Sequence, residues 1–136
     1  MNQASTTKVV ALVGHCGPDS SFLRMAVSGA APGTRVVMVD SDQELEAAMA
    51  EASLDLLMLN RKLDWGFADG DGMELLRRIK RERPEQKVMM ISNFPEAQQA
   101  AESAGALPGF GKREIGSPKV KERILAALSG AAAEVK

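Results

Sequence analysis

Apolar residues fall along this chain in short runs, separated by longer stretches where they recur every three or four positions. Val9–Val13, Val36–Val39 and Val88–Ile91 are continuous runs, and Leu54–Leu59 is broken only by Asp55. Runs of this length without alternation suit strands buried on both faces. Between them, Phe22, Leu23, Met25 and Ala26 have helical spacing, as do Leu45, Ala48, Met49 and Ala52, and then Met73, Leu75, Leu76 and Ile79. Strand and helix patterns alternate throughout.

Boundary residues sharpen these elements. Asp19 or Ser20 is placed to cap the first helix, which ends near Gly29 and Pro32-Gly33. Ser41-Asp42-Gln43-Glu44 has the form of a capping box opening the second. The third strand closes with the amide Asn60, and a polar, glycine-rich loop runs from Arg61 to Gly70. Asp71 starts the third helix and Pro84 stops it; Lys87 to Ser92 is the fourth strand. Pro95 fits the first position of a helix through Ala104 that Gly105 closes. Gly109-Phe110-Gly111-Lys112 reads as a short fifth strand. Ser117 caps the last helix, whose apolar stripe is Val120, Ile124, Leu125 and Leu128.

Five such βα units require a parallel sheet with helices on both faces. A chain of 136 residues builds one core. Residues 1–7 read as an extended or disordered segment, 8–129 as the domain and 130–136 as a tail. The binding crevice of such a sheet lies outside the carboxyl ends of its strands. That places Gly14, His15, Cys16, Asn60, Ser92 and Lys112 in one region.

Composition narrows the function classes. A formal net charge of -1 leaves no basic excess for nucleic acid, and aromatics at 4% with no tyrosine supply no stacking platform. Arg77-Arg78-Ile79-Lys80-Arg81 reads as a solvated helix face. With Cys16 the lone cysteine, no internal disulfide forms, and a cytoplasmic location is the simplest expectation. The first residues lack the basic-then-apolar order of a secretion signal, and no apolar run approaches the ~20 residues that span a bilayer.

Four segments together resemble the receiver domain of two-component response regulators: Leu54–Asn60, Asp71-Gly72-Met73-Glu74-Leu75-Leu76-Arg77-Arg78-Ile79, Val88–Ser92, and Gly105-Ala106-Leu107-Pro108-Gly109-Phe110-Gly111-Lys112. The likeness runs from about Lys8 to about Leu128. It implies a CheY-like, flavodoxin-like α/β fold of three layers, doubly wound as (βα)5, with a parallel five-stranded sheet in the order 2-1-3-4-5. It also implies a place in bacterial phosphorelay signal transduction. In that family an acidic pair after the first strand holds Mg²⁺, and an aspartate ending the third attacks the phosphoryl group. A Ser or Thr and a Lys hold the phosphoryl oxygens.

Carried over residue by residue, the resemblance retains Ser92 and Lys112 and departs elsewhere. The acidic pair falls on Gly14 and His15, and the phosphoacceptor position on Asn60. The aromatic switch position falls on Gly109, with Phe110 beside it facing the other way. The proline that follows the family's lysine is Arg113, so the cis peptide expected there is absent, and the loop after Asn60 is longer than usual. The reading is a pseudo-receiver: not an enzyme, with Mg²⁺ binding lost or weak and no other cofactor. It acts by phosphorylation-independent protein contacts through the fourth helix, fifth strand and fifth helix, a homodimer among them, with neither nucleic acid nor membrane as partner. Two alternatives stay open. One is an anion sensor or small enzyme reusing the crevice at Asn60, Ser92, Lys112 and His15. The other is a genuinely phosphorylated receiver.

The long loop carries further candidates. Asp64 or Asp69 is placed to pair with Lys112. Asp64 as a displaced phosphoacceptor is poorly fixed so far past a strand end. Asp69-Gly70-Asp71-Gly72 faintly resembles a calcium loop but lacks the remaining ligands, and Asp71 is more simply a helix cap. His15 and Cys16 are adjacent but have no evident third group to orient the imidazole. Trp65 and Phe67 form either a lid over the pocket or an exposed anchor for a partner.

Overall fold

Five parallel strands form one sheet in the order β2-β1-β3-β4-β5. The computed structural model describes residues 7–15, 17–51, 53–63 and 66–129. The elements alternate as β1 (Val9–Val13), α1 (Gly17–Ala30), β2 (Arg35–Val39), α2 (Asp42–Glu51), β3 (Leu56–Asn60), α3 (Gly72–Glu82), β4 (Val88–Ile91), α4 (Pro95–Ser103), β5 (Leu107–Phe110) and α5 (Pro118–Ser129). This is the doubly wound (βα)5 architecture with the expected strand order.

Strand pleating divides the core. Val9, Ala11, Val13, Leu57 and Leu59 face α2, α3 and α4, where Leu45, Leu75, Leu76, Ile79 and Ala101 close over them. Val10, Leu12, Leu56 and Met58 face α1 and α5, against Leu23, Val27, Val120 and Ile124. β1 and β4 are buried along their whole length, and β3 up to Asn60. The unbroken apolar runs therefore reflect two covered faces. Among the described residues, no helix is long and apolar enough to cross a membrane.

Several boundaries differ from the sequence reading. β3 starts at Leu56 because Asp55 is spent on a tie: its Oδ2 accepts the Val9 amide at 2.8 Å. α1 starts at Gly17, so Asp19 and Ser20 lie inside its first turn instead of capping it. Pro18 supplies a backbone angle already suited to that turn. β5 runs from Leu107 to Phe110, two residues earlier than expected. The Phe110 carbonyl takes the Ser92 amide at 3.0 Å, after which the Gly111 amide turns to Glu114 Oε1 and a short 3-10 turn begins at Lys112. Ser117 precedes α5 as expected, but its buried hydroxyl has no partner among the described residues.

The other caps form. Asp71 accepts the Glu74 amide at 3.0 Å, and Ser41 accepts the Glu44 amide at 3.1 Å while Glu44 reaches back to the Asp40 amide at 2.7 Å. At the site end of the sheet, α3 begins hard against β3: a Cβ at Gly72 would strike the Asn60 carbonyl oxygen. Gly72→Ala therefore pushes α3 away from the end of β3. It is expected to cost about 1–3 kcal/mol, read as a lower urea midpoint with an unchanged slope.

Candidate functional site

β1, β3, β4 and β5 deliver Gly14, Asn60, Ser92 and Lys112 to one end of the sheet. At its centre stands the Asn60 carboxamide. Its Nδ2 donates to the Gly14 carbonyl at 3.0 Å and the Lys62 carbonyl at 2.9 Å, and its Oδ1 accepts from Lys112 Nζ at 3.2 Å. The amide thus ties the β1 end, its own following loop and the turn after β5.

Lys112 finds its carboxylate in Asp19, at 2.8 Å. Of the two loop acids expected as its partner, Asp69 is engaged elsewhere. Asp69 is instead bound by Arg78 through Nε at 3.0 Å and Nη2 at 2.9 Å, and Arg78 Nη2 also holds Asp42 at 2.9 Å. Asp64, Trp65 and Cys16 lie outside the described residues, as do residues 1–6 and 130–136 of the expected N-terminal segment and tail. Among the described residues no group of three or more His, Cys, Asp or Glu side chains converges as a metal site.

Gly14 adopts a φ of +76°, a left-handed conformation that side chains disfavour. A Cβ there would lie 2.6 Å from Leu63 Cδ2 and 3.6 Å from Phe67 Cε2. Phe67 is 6% exposed and joins the core, so it is not itself an exposed anchor. The loop is fastened by the Asp42 amide to the Gly66 carbonyl at 3.0 Å and the Ala68 amide to Asp42 Oδ2 at 2.7 Å. Apolar side chains therefore cover the position after β1 where the resemblance expected acids.

His15 is buried. Its Nε2 lies 3.0 Å from the Met58 carbonyl, which assigns the proton to Nε2, and Nδ1 has no partner among the described residues. Burial, partly opposed by the Met58 bond, lowers the imidazole from 6.5 to about 4. The ring is thus a neutral packing group.

Gln98 of α4 fills the space beside Gly109, where the resemblance implies a switch aromatic. Gln98 Nε2 lies within hydrogen-bond distance of the Met90, Ser92 and Phe110 carbonyls, at 2.9, 3.1 and 3.3 Å, and its Oε1 accepts the Gly109 amide at 3.2 Å. A Cβ at Gly109 would strike the Met90 carbonyl. Phe110 points to the opposite core, as expected, and is 1% exposed. Arg123 of α5 donates to the Gly109 carbonyl. Among the described residues there is no cis peptide. Sequence reasoning missed Asp19, Gln98 and Leu63 as site residues. A carboxylate one helical turn past the β1 loop and a glutamine facing a glycine were the available signals.

Solved structures similar to this chain include receiver domains of response regulators. The receiver domain of the stress response regulator RcsB from Escherichia coli, in its non-phosphorylated form, matches with a TM-score of 0.73 at 16% identity over 91% of this chain and 95% of that one. The signal receiver domain of a DNA binding response regulator (merR) from Colwellia psychrerythraea gives 0.71 at 14% over 90% and 98%. The NtrX receiver domain from Brucella abortus gives 0.63 at 25% over 93% and 99%. No protein-family model matches the sequence, and no curated protein matches it. The chain has the CheY-like fold of response-regulator receiver domains.

Two variants test the site. Asn60→Asp replaces an NH₂ that serves two carbonyls by an oxygen facing them, and is expected to cost about 1–3 kcal/mol in urea unfolding at pH 7 despite the nearby Lys112. For His15, the unfolded chain takes up a proton below 6.5 and the folded chain only near 4. Its contribution is therefore complete above pH 6.5 and is lost as the pH falls toward 4, by about 3 kcal/mol in all. Urea midpoints of wild type should fall more steeply across this window than those of His15→Gln; parallel curves would contradict the assignment.

Proposed function

We propose that this chain is a pseudo-receiver, an interaction module that accepts no phosphoryl group and works through surface contacts. The observation that carries the reading is the Asn60 amide, tied to Gly14, Lys62 and Lys112 where the resemblance calls for a nucleophilic carboxylate. An amide forms no acyl phosphate. Mg²⁺ takes oxygen ligands in a near-octahedral shell, and the donors around Asn60 do not fit it. Gly14 supplies no side chain, His15 is turned onto Met58, and Asp19 is held by Lys112. Leu63 and Phe67 close the space over Gly14.

The contact surface is the face of α4, β5 and α5. Its groove, of about 580 Å³, lies over Gly109 between Gln98 and Gln99 on one side and Arg113 and Arg123 on the other. Partner binding there, a second copy of the chain included, does not need a phosphorylation-driven rearrangement, since Gln98 already fills the site of the switch side chain. A module without a ligand that distinguishes two states stays in one.

Incubation with Mg²⁺ and acetyl phosphate or phosphoramidate tests the reading by intact mass. The mass is expected to stay unchanged. A labile phosphoryl adduct on the wild-type chain would overturn it and restore the ordinary receiver.

A further inference from the structure

α2 and α3 flank one groove on the same face of the sheet and carry opposite charge. α2 holds the acids Asp42, Glu44, Glu46 and Glu51 and no basic residue. α3 with its C-terminal cap holds Arg77, Arg78, Lys80, Arg81 and Arg83 against Glu74 and Glu82. The chain as a whole has a formal net charge of only -1, so here the two signs are sorted by helix.

Some of these groups are engaged within the chain. Arg78 holds Asp42 at 2.9 Å, Glu44 Oε1 accepts the Asp40 amide at 2.7 Å, and Lys80 Nζ donates to the Pro84 and Gln86 carbonyls, each at 2.8 Å. Glu46 and Glu51 of α2 and Arg77, Arg81 and Arg83 of α3 are exposed, and among the described residues they form no ion pair. Arg77 and Arg81 stand one turn apart, a like-charge spacing that disfavours the helix unless an outside anion offsets it. The groove between the helices, of about 280 Å³, is floored by Leu45, Met49 and Ile79 and rimmed by Glu46, Glu82 and Arg83. Its contacts set the relative height of the helices: Asp42 is level with Arg78, and Glu46 with Glu82. Ala47 and Ala50, exposed on α2, leave space for another helix to come close.

We propose that this face pairs with the same face of a second copy of the chain. A two-fold axis parallel to the helices lays α2 of each protomer on α3 of the other, so every contact occurs twice. Glu46 then stands level with the partner's Arg81, and Glu51 faces the partner's Arg83. An axis across the helices would set α2 on α2 and α3 on α3, like charge on like, which is unfavourable. Helices of 10 and 11 residues run only about 15 Å, so the footprint lies at the small end of specific interfaces and the pair is weak and salt-sensitive. This contact goes beyond the interaction-module reading: it uses a face apart from α4, β5 and α5 and does not depend on Asn60.

Sedimentation velocity of the full chain over a wide concentration range tests this, at about 50 and about 500 mM NaCl. The expected result is a monomer–dimer equilibrium that weakens about fivefold or more at the higher salt. Arg81→Glu with Arg83→Glu makes α3 acidic, and Glu46→Lys with Glu51→Lys makes α2 basic. Each double variant alone should associate about tenfold or more weakly. Mixed in equal amounts, the two should recover wild-type association as a heterodimer, because opposite signs again meet at both contacts. Arg24→Glu, an exposed charge reversal on α1, should leave association unchanged, and urea midpoints check that every variant is folded. A chain that stays monomeric throughout would overturn the proposal. So would association that survives both double variants, which places the contact on another face, or variants that fail to recover on mixing. Sedimentation is read here and a covalent mass there, so this test and that of the module fail separately.

Discussion

The strand-end surface is organised around neutralising the Lys112 ammonium. An ammonium about three-quarters covered needs an anion close by, and the end of β3 offers only an amide oxygen. The carboxylate comes instead from Asp19, in the first turn of α1, where a negative group also suits the helix N-terminus. One ion pair thereby ties the start of α1 to the turn after β5 across 93 residues of sequence. With that charge settled, Asn60 needs none of its own and can use its NH₂ for the Gly14 and Lys62 carbonyls.

Those two hydrogen bonds explain the loop that follows. Holding the Lys62 carbonyl inward bends the chain back over the β1 end, bringing Leu63 and Phe67 above Gly14. The loop is then pinned on its far side, where Arg78 joins Asp42 of α2 to Asp69. Leu63 and Phe67 thus form an apolar cover with a charged clasp. Gly14 is needed beneath it, since both its φ and the nearness of Leu63 exclude a side chain.

The architecture was legible because its determinants are local. Doubly buried strands leave unbroken runs such as Val9–Val13, and caps such as Asp71 act within four residues. β5 was started two residues late because Pro108 interrupts the strand pattern, and it was carried on to Lys112, where the chain instead begins a 3-10 turn. Within the site, the strand-end residues were identifiable by counting from the runs. Their partners were not. Asp19 reads as a helix cap, and Asp69 is one of two loop candidates for Lys112 until the fold places Arg78 beside it. Gln98 gives no sign from inside a helix that it serves two strands. Such pairings depend on which helix lies over which strand, information that periodicity does not contain.

The Gln98 carboxamide has a mechanical consequence. A surface can change shape on command only if two packings of similar free energy exist, with a vacancy for some group to enter or leave. Here the space beside Gly109 is filled by Gln98, whose amide meets backbone groups at the ends of β4 and β5. If the chain is the interaction module proposed above, this edge of the sheet is a fixed template, whose dealings with other molecules are governed by what is present to cover it and in what amount.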